Sequence, residues 1–301
     1  MASTIRYIAD ANLGLKSVTD VFVNGDFIAS DQATVSVFDR GFLLGDGVYE
    51  VIPVYAGRCF KLAGHLNRLQ NSLAGVKMAN PYKEEEWETL LDTLITRNGG
   101  GDQALYLQVS RGVAPRDHVF PENVAPSVFM MTNPLQARSE QVKTQGIKAV
   151  TLADSRWQRC DIKAISLLPN SLLKQEAKEA GADEALLIRD GFMTEGSASN
   201  SYAVFDGVIY TAPKNNHILP GITRDVVLSL AKQAGIEVVE EAVSEARLVG
   251  ADELWVSSST KEVLPITTLN GQGVGLGKPG MVWQQIDALY QQQKRRHCDG
   301  S

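Results

Sequence analysis

Lys163 is the residue in this 301-residue chain whose setting most invites chemistry. It lies in RWQRCDIKAISLLPN (residues 156–170) between apolar neighbours. A lysine drawn out of water loses its charge readily and becomes a nucleophile. Three further segments are unusual for a plain scaffold. DRGFLLGDGVYEVIPVY (39–55) sets three glycines, an arginine and two acids ahead of a strand, a composition suited to close backbone approach. SRGVAPRDHVFPEN (110–123) gathers Arg111, Arg116 and His118 in a Pro-bounded loop with few acids nearby to neutralise them. TEGSASN (194–200) follows Glu195 with small hydroxyl and amide residues. Taken singly, these residues have ordinary readings. Lys163 would be a solvated surface charge, Glu195 an exposed strand acid, and Arg68 an arginine lying along its helix. His65 and His217 have no second ligand at metal-binding spacing, so no metal site is expected.

The patterning around these segments supplies elements to hold them. Residues 21–23 form an apolar strand, and Asn24-Gly25 turns it into another at 27–28. Residues 48–55 read as a strand. Leu62, Leu66, Leu69 and Leu73 recur on one face of a helix. A second helix over 84–97 is acidic at its start and stopped by Gly99-Gly100-Gly101. With strands at 105–109 and 127–131, this half reads as α/β or α+β. The polar stretch 133–140 is the linker candidate. Beyond it strands predominate, at 147–152, 184–189, 192 onward, 202–205 and 208–210, with Asp190-Gly191 and Asp206-Gly207 as hairpin turns. Helices are expected over 170–180 and 223–234, closed by Gly181 and Gly235. The second opens at Gly221-Ile222-Thr223, where free N–H groups and the helix dipole favour a phosphate. The expected division is a loosely docked extension (1–20), an N-terminal domain (21–132), the linker (133–140), a C-terminal domain (141–290) and a basic tail (291–301).

Apolar residues at 44% and charged residues at 21% are normal for a globular protein. The net charge of −6 argues against a nucleic-acid or anionic-membrane partner, which would need a basic face. Cys59, Cys160 and Cys298 are far apart and form no C-x-x-C pair, which fits a reducing cytoplasm. No apolar run is long enough to span a membrane, and the first twenty residues lack the continuous apolar core of a signal peptide. Gly275, Gly277 and Gly280 satisfy G-x-G-x-x-G, but no second strand follows and Pro279 sits inside the loop. A flexible turn after a hairpin is expected there, not a dinucleotide site.

In their order, DRGFLLGDGVYE, RCDIK, TEGSASN and LPGITRDVV resemble the fold-type-IV pyridoxal-phosphate enzymes. That group includes branched-chain aminotransferases, aminodeoxychorismate lyases, (R)-amine transaminases and D-amino acid aminotransferases. Within it, the Arg116-x-His118 loop resembles that of the D-amino acid aminotransferases. The likeness runs from about residue 21 to 289. It implies a two-domain fold with a smaller N-terminal α/β domain and a larger C-terminal pseudo-barrel, in a homodimer with shared active sites. It implies pyridoxal 5′-phosphate as cofactor, with Lys163 as the Schiff-base lysine and proton carrier. Glu195 would pair with the pyridine nitrogen. Arg68, Ile222, Thr223, Ser258 and Ser259 would hold the phosphate, and Arg156 and Leu219 would flank the ring. Tyr49, Arg116 and His118 match a trap for the substrate carboxylate, the last two reaching in from the partner subunit. The implied activity is ping-pong transamination between D-amino acids and 2-oxo acids. Branched-chain L-amino acid, (R)-amine and lyase activities share the fold, and a non-catalytic binding dimer is the reading from another class.

Overall fold

The alternating and helical patterns resolve, in a computed structural model that describes residues 19–299, into two sheets with their covering helices. Strands β1 (Asp20–Val23), β2 (Asp26–Ala29), β3 (Gly47–Tyr55), β4 (Arg58–Cys59), β5 (Gln103–Ser110) and β6 (Ser127–Pro134) build the first. It is antiparallel, in the order β2-β1-β6-β5-β3-β4. Helix α1 (Arg40–Leu44) leads into β3, and α2 (Leu62–Gly75) and α3 (Glu84–Arg97) cover the sheet. The leucine stripe seats α2, since Leu66, Leu69 and Leu73 are buried with Ile52, Leu91, Leu105 and Met130. At roughly 1.5–3 kcal/mol for each large apolar side chain removed from water, that face fixes the helix on β3. The same face turns His65 and Arg68 inward.

The second half holds α4 (Glu140–Gln145), β7 (Ile147–Ala153), α5 (Leu168–Glu179), β8 (Glu184–Arg189), β9 (Phe192–Gly196), β10 (Asn200–Phe205), β11 (Val208–Thr211), α6 (Ile222–Gln233), β12 (Val238–Glu240), α7 (Glu245–Leu248), β13 (Glu253–Ser258), β14 (Glu262–Leu269), β15 (Gln272–Gly273) and α8 (Met281–Asp299). Its sheet runs β12-β11-β10-β13-β14-β7-β8-β9, with β15 on β14. End strand β9 lies against β10, so the sheet curls back on itself as a half-barrel. Helices α6 and α8 bury Val227, Ile286 and Tyr290 against Tyr202 and Trp255. Tyr55 and Phe60 from the first half complete that core and join the two halves.

The structure adjusts several expectations. Of the polar stretch 133–140, Asn133 and Pro134 belong to β6. The basic tail is no tail as far as Asp299: it continues α8, where Lys294 pairs with Glu262 and Cys298 packs into the core. The extension expected at 1–20 lies outside the described residues except for Thr19 and Asp20. Strands β13 and β14 escaped the sequence patterning, the latter because Pro265 interrupts a run that is nonetheless paired on both sides. The Gly275–Gly280 loop does follow a hairpin, but it is tied to the core. A Cβ at Gly280 would fall 2.1 Å from the Glu253 carboxyl carbon, and that carboxylate accepts from the Val282 and Trp283 N–H groups at 2.8 Å each. The glycine makes room for a helix cap. No helix among the described residues is long and apolar enough to cross a membrane.

Candidate active site

Between the two sheets opens a cavity of about 1070 Å³. After β7 the chain crosses back to the first sheet. There the Tyr49 N–H donates to the Lys163 carbonyl at 2.9 Å, the Ile165 N–H to Gly47 at 3.1 Å, and the Lys163 N–H to Ser72 Oγ at 3.2 Å. Lys163 is thereby held as an added edge on β3, and its Nζ lies 4.1 Å from the centre of the Tyr49 ring. Gly47 leaves room on both sides, because a Cβ there would fall 2.7 Å from the Val109 carbonyl oxygen on β5 and 2.9 Å from Ile165 Cδ1 in the Lys163 segment.

Glu195, on β9, enters the cavity from the other sheet and is buried. Its Oε1 accepts from Arg156 Nη1 at 2.5 Å, and its Oε2 from Asn200 Nδ2 and the Leu219 N–H, both at 3.0 Å. Burial pushes this carboxyl up to about 6, with Arg156 and the Leu219 N–H pulling the other way. Arg156 is itself clamped by Asp154, through Nε at 2.9 Å and Nη2 at 3.0 Å, and Arg189 adds a second cation 3.0 Å from the same acid. Burial would raise Asp154, but the Arg156 guanidinium outweighs it and holds the carboxyl below the usual range.

The remaining wall is a cup for an anion. Helix α6 begins after Gly221 with no side-chain cap, leaving its first N–H groups toward the cavity that Gly221, Ile222 and Thr223 line. A Cβ on Gly221 would fall 1.9 Å from Asn200 Oδ1, so only glycine lets the helix start this close to the site. Ser257, Ser258 and Ser259 form the adjacent lining. Arg68 arrives from α2, held bidentate on Glu50 at 2.8 and 2.7 Å and donating to the Pro220 carbonyl at 3.2 Å. Those bonds use three of the five N–H donors a guanidinium carries, and the rest remain for a ligand. Glu50 also accepts from His65 Nδ1 at 2.8 Å. Burial raises the Glu50 carboxyl, yet Arg68 outweighs it and holds the group far below the carboxylate range. Burial likewise pushes the His65 imidazole below its ordinary value, against the pull of Glu50.

Lys163, Tyr49, Arg68, Arg156, Glu195, Leu219, Ile222, Thr223, Ser258 and Ser259 thus line one cavity. Arg116 and His118 do not: both are exposed on the loop after β5. That loop is pinned from beneath. Arg40 donates to the Asp117 and Val119 carbonyls at 2.5 and 3.3 Å, and Phe120 lies 3.6 Å under the Arg111 guanidinium. Arg111 is not the free cation its loop suggests, because Asp46 accepts from it at 2.7 and 3.0 Å. Sequence reasoning missed Glu50, Asp154 and Asn200, the groups that orient Arg68, Arg156 and Glu195. For Glu50 a signal existed, since it shares the buried register of Val48 and Ile52 on β3. A charge there must have a partner.

Solved structures share this fold. The branched-chain amino acid aminotransferase of Escherichia coli matches with a TM-score of 0.86 and 26% identity over 92% of this chain and 94% of that one. A branched-chain aminotransferase of the archaeon Thermoproteus uzoniensis, solved with norvaline, matches with a TM-score of 0.82 and 26% identity over 94% and 96%. The fold is that of the fold-type-IV aminotransferases, and the protein is an aminotransferase. In sequence, the D-alanine aminotransferase of Bacillus licheniformis is 42% identical over 271 residues, 90% of this chain and 95% of that protein. Residues 47–269 match the amino-transferase class IV family, and the chain belongs to it.

Proposed function

We propose that the chain is a D-amino acid transaminase that exchanges amino groups between D-amino acids such as D-alanine and 2-oxo acids, using pyridoxal 5′-phosphate. One observation carries this reading: a lysine, a buried carboxylate and an uncapped helix start with an arginine converge on one cavity. That set matches an aldehyde, a ring nitrogen and a phosphate. When bound, the cofactor supplies an aldehyde carbon to receive amino groups and a ring that takes up electron density from the reacting carbon. Arg68, Ile222, Thr223, Ser258 and Ser259 hold the phosphate. Lys163 Nζ is the covalent anchor and then moves the substrate's α-proton. Glu195 keeps a proton on the ring nitrogen, Arg156 and Asn200 fix its angle, and Leu219 supports one ring face.

The carboxylate trap is assigned to Tyr49 with Arg116 and His118 of a second copy of the chain. Exposed Val113, Val119 and Phe120 lie on that loop and exposed Phe38 beside it, where its carbonyl accepts from the Ala114 N–H, and together they offer an apolar face for a homodimer. Free Cys59, Cys160 and Cys298 support a cytoplasmic setting. A panel of D- and L-amino acids and one (R)-amine, with 2-oxoglutarate as acceptor, tests the substrate. D-alanine is expected to lead, and a preference for L-leucine or L-valine would transfer the protein to the branched-chain enzymes.

Glu195→Gln should retain the cofactor and lose about 1.5–3 kcal/mol of barrier lowering, on the order of ten- to a hundred-fold in single-turnover rate. A pH dependence accompanies it. The charged carboxylate is the form that pairs with a protonated ring, and in the cofactor-free protein burial pushes its pKa up to about 6. The Glu195 contribution to cofactor affinity is therefore full above that pH and lost as pH falls through it, by up to about tenfold per pH unit. Cofactor titration of the apo protein should show a steeper slope through that pH in the parent than in the Gln variant, where the cofactor phosphate alone still contributes. Equal slopes would remove Glu195 from the role.

A further inference from the structure

A buried carboxylate that this chemistry does not use stands behind Glu195. Glu184, the first residue of β8, is 1% exposed. Its Oε1 accepts from Ser197 Oγ and, at 3.0 Å, from the Ala185 N–H, while its Oε2 accepts from Ser199 Oγ at 3.2 Å. Lys174 on α5 brings its Nζ within 3.5 Å of Oε1 and donates to the Asp183 carbonyl. Both serines belong to the short loop 196–199, which separates Glu195 from Asn200. The loop is bound elsewhere too: the Ser197 N–H donates to Ala185 at 3.1 Å, and Asn170 Nδ2 donates to the Ser197 carbonyl at 2.8 Å. Asn200 then donates to Glu195 Oε2 at 3.0 Å and to the Leu219 carbonyl at 2.9 Å.

A hydroxyl-bearing turn at a strand junction needs no buried acid to close. Burying one is costly unless it is paired and fully hydrogen-bonded, and a group satisfied that way favours one geometry over its neighbours. Here the satisfied group holds the two serines between Glu195 and Asn200. Its ion-pair partner sits on α5, the helix that follows the Lys163 segment, as does Asn170. One carboxylate therefore ties the Glu195 loop to the helix that continues from Lys163. We propose that Glu184 is a positioning residue: it clamps the 196–199 loop and so sets the Asn200–Glu195 contact and the angle at which Glu195 meets the cofactor ring. This rests on the role given to Glu195 above, and it leaves the chemical step to other groups.

The test compares Ser197→Ala/Ser199→Ala and Glu184→Gln with the parent. A Gln side chain can accept from Ser197 and donate to Ser199, so it keeps both serine contacts and gives up only the Lys174 ion pair. Three readouts are taken: hydrogen exchange over 195–200 in cofactor-free protein, the pH midpoint of the bound cofactor's absorbance, and kcat and KM for D-alanine. In the double variant, exchange over the loop should rise about tenfold or more. Its absorbance midpoint should move, and kcat should fall about tenfold with KM nearly constant. Glu184→Gln should stay near the parent in all three. Unchanged exchange in the double variant overturns the clamp. Raised exchange with an unmoved midpoint and kcat overturns its reach to Glu195. Failure of the parent to take up the cofactor would instead count against the proposed function, and the exchange comparison still reads the clamp.

Discussion

Lys163→Ala is expected to purify as a folded protein that takes up pyridoxal 5′-phosphate and turns over negligibly. Folding survives because the segment is held through its backbone, by the Tyr49 and Ser72 contacts, and truncation leaves those in place. Among the described residues the Lys163 side chain makes no hydrogen bond or ion pair that the structure needs. Cofactor uptake survives because the anion cup of Arg68, Ile222 and Thr223 belongs to α2 and α6, and Glu195 to β9. Turnover does not survive. A positioned proton carrier alone contributes about 10²–10⁴-fold, and in the proposed function the same amine is also the covalent anchor, so both contributions go together. The companion measurement is borohydride reduction of the parent followed by peptide mapping, which should leave the pyridoxyl group on Lys163. Lys174 and Lys178 line the same cavity, and a label on either would overturn the assignment.

What could be seen in the sequence and what could not divides along the distance between partners. The leucine stripe of α2 and the apolar run of β3 are local, and they put Arg68 on a helix and Tyr49 on a strand before any contact is known, but the stripe alone leaves Arg68 a surface arginine where the fold buries it. Likewise Gly221 before a helical run suffices to mark the start of α6. The groups that orient the site are paired across the chain, and pairing has no local pattern. Glu50 lies 18 residues before Arg68, and nothing in the intervening segment shows that the two meet. Arg111 misleads for the same reason: its loop is poor in acids, while Asp46, 65 residues earlier, neutralises it. Pro265 hides β14, because a strand with a proline reads as an edge until its neighbours are known. Glu184 gives no signal at all. It occupies a strand position that would suit a solvated acid, and only the fold shows two serines closing on it.

Arg116→Ala should weaken the use of D-alanine and 2-oxo acids by roughly 2–5 kcal/mol, on the order of thirty- to several thousand-fold in kcat/KM, if the ion pair is well desolvated. It should leave the cofactor's spectrum and affinity nearly untouched. The structure sharpens this expectation, because the loop's architecture is carried by other residues. Arg40 holds the Asp117 and Val119 carbonyls and Arg111 stacks on Phe120, whereas the side chains of Arg116 and His118 make no hydrogen bond or ion pair among the described residues. Removing the Arg116 guanidinium therefore costs its own chain little, and a large loss of activity has to come from something the guanidinium meets outside it. In the proposed function a substrate carboxylate in the cavity of a second copy supplies that, since an arginine paired with a carboxylate gains far more than one facing a neutral group. A neutral (R)-amine has no such group, and (R)-1-phenylethylamine should be affected far less or even favoured. If Arg116 instead served only to join two copies, the variant would lose both substrate types in parallel and would elute as a smaller species on a sizing column. Steady-state kinetics with the two donors, run beside that column, separate the outcomes. A parallel loss would overturn the carboxylate trap and, with it, the physical reason for preferring a D-amino acid over an amine as donor.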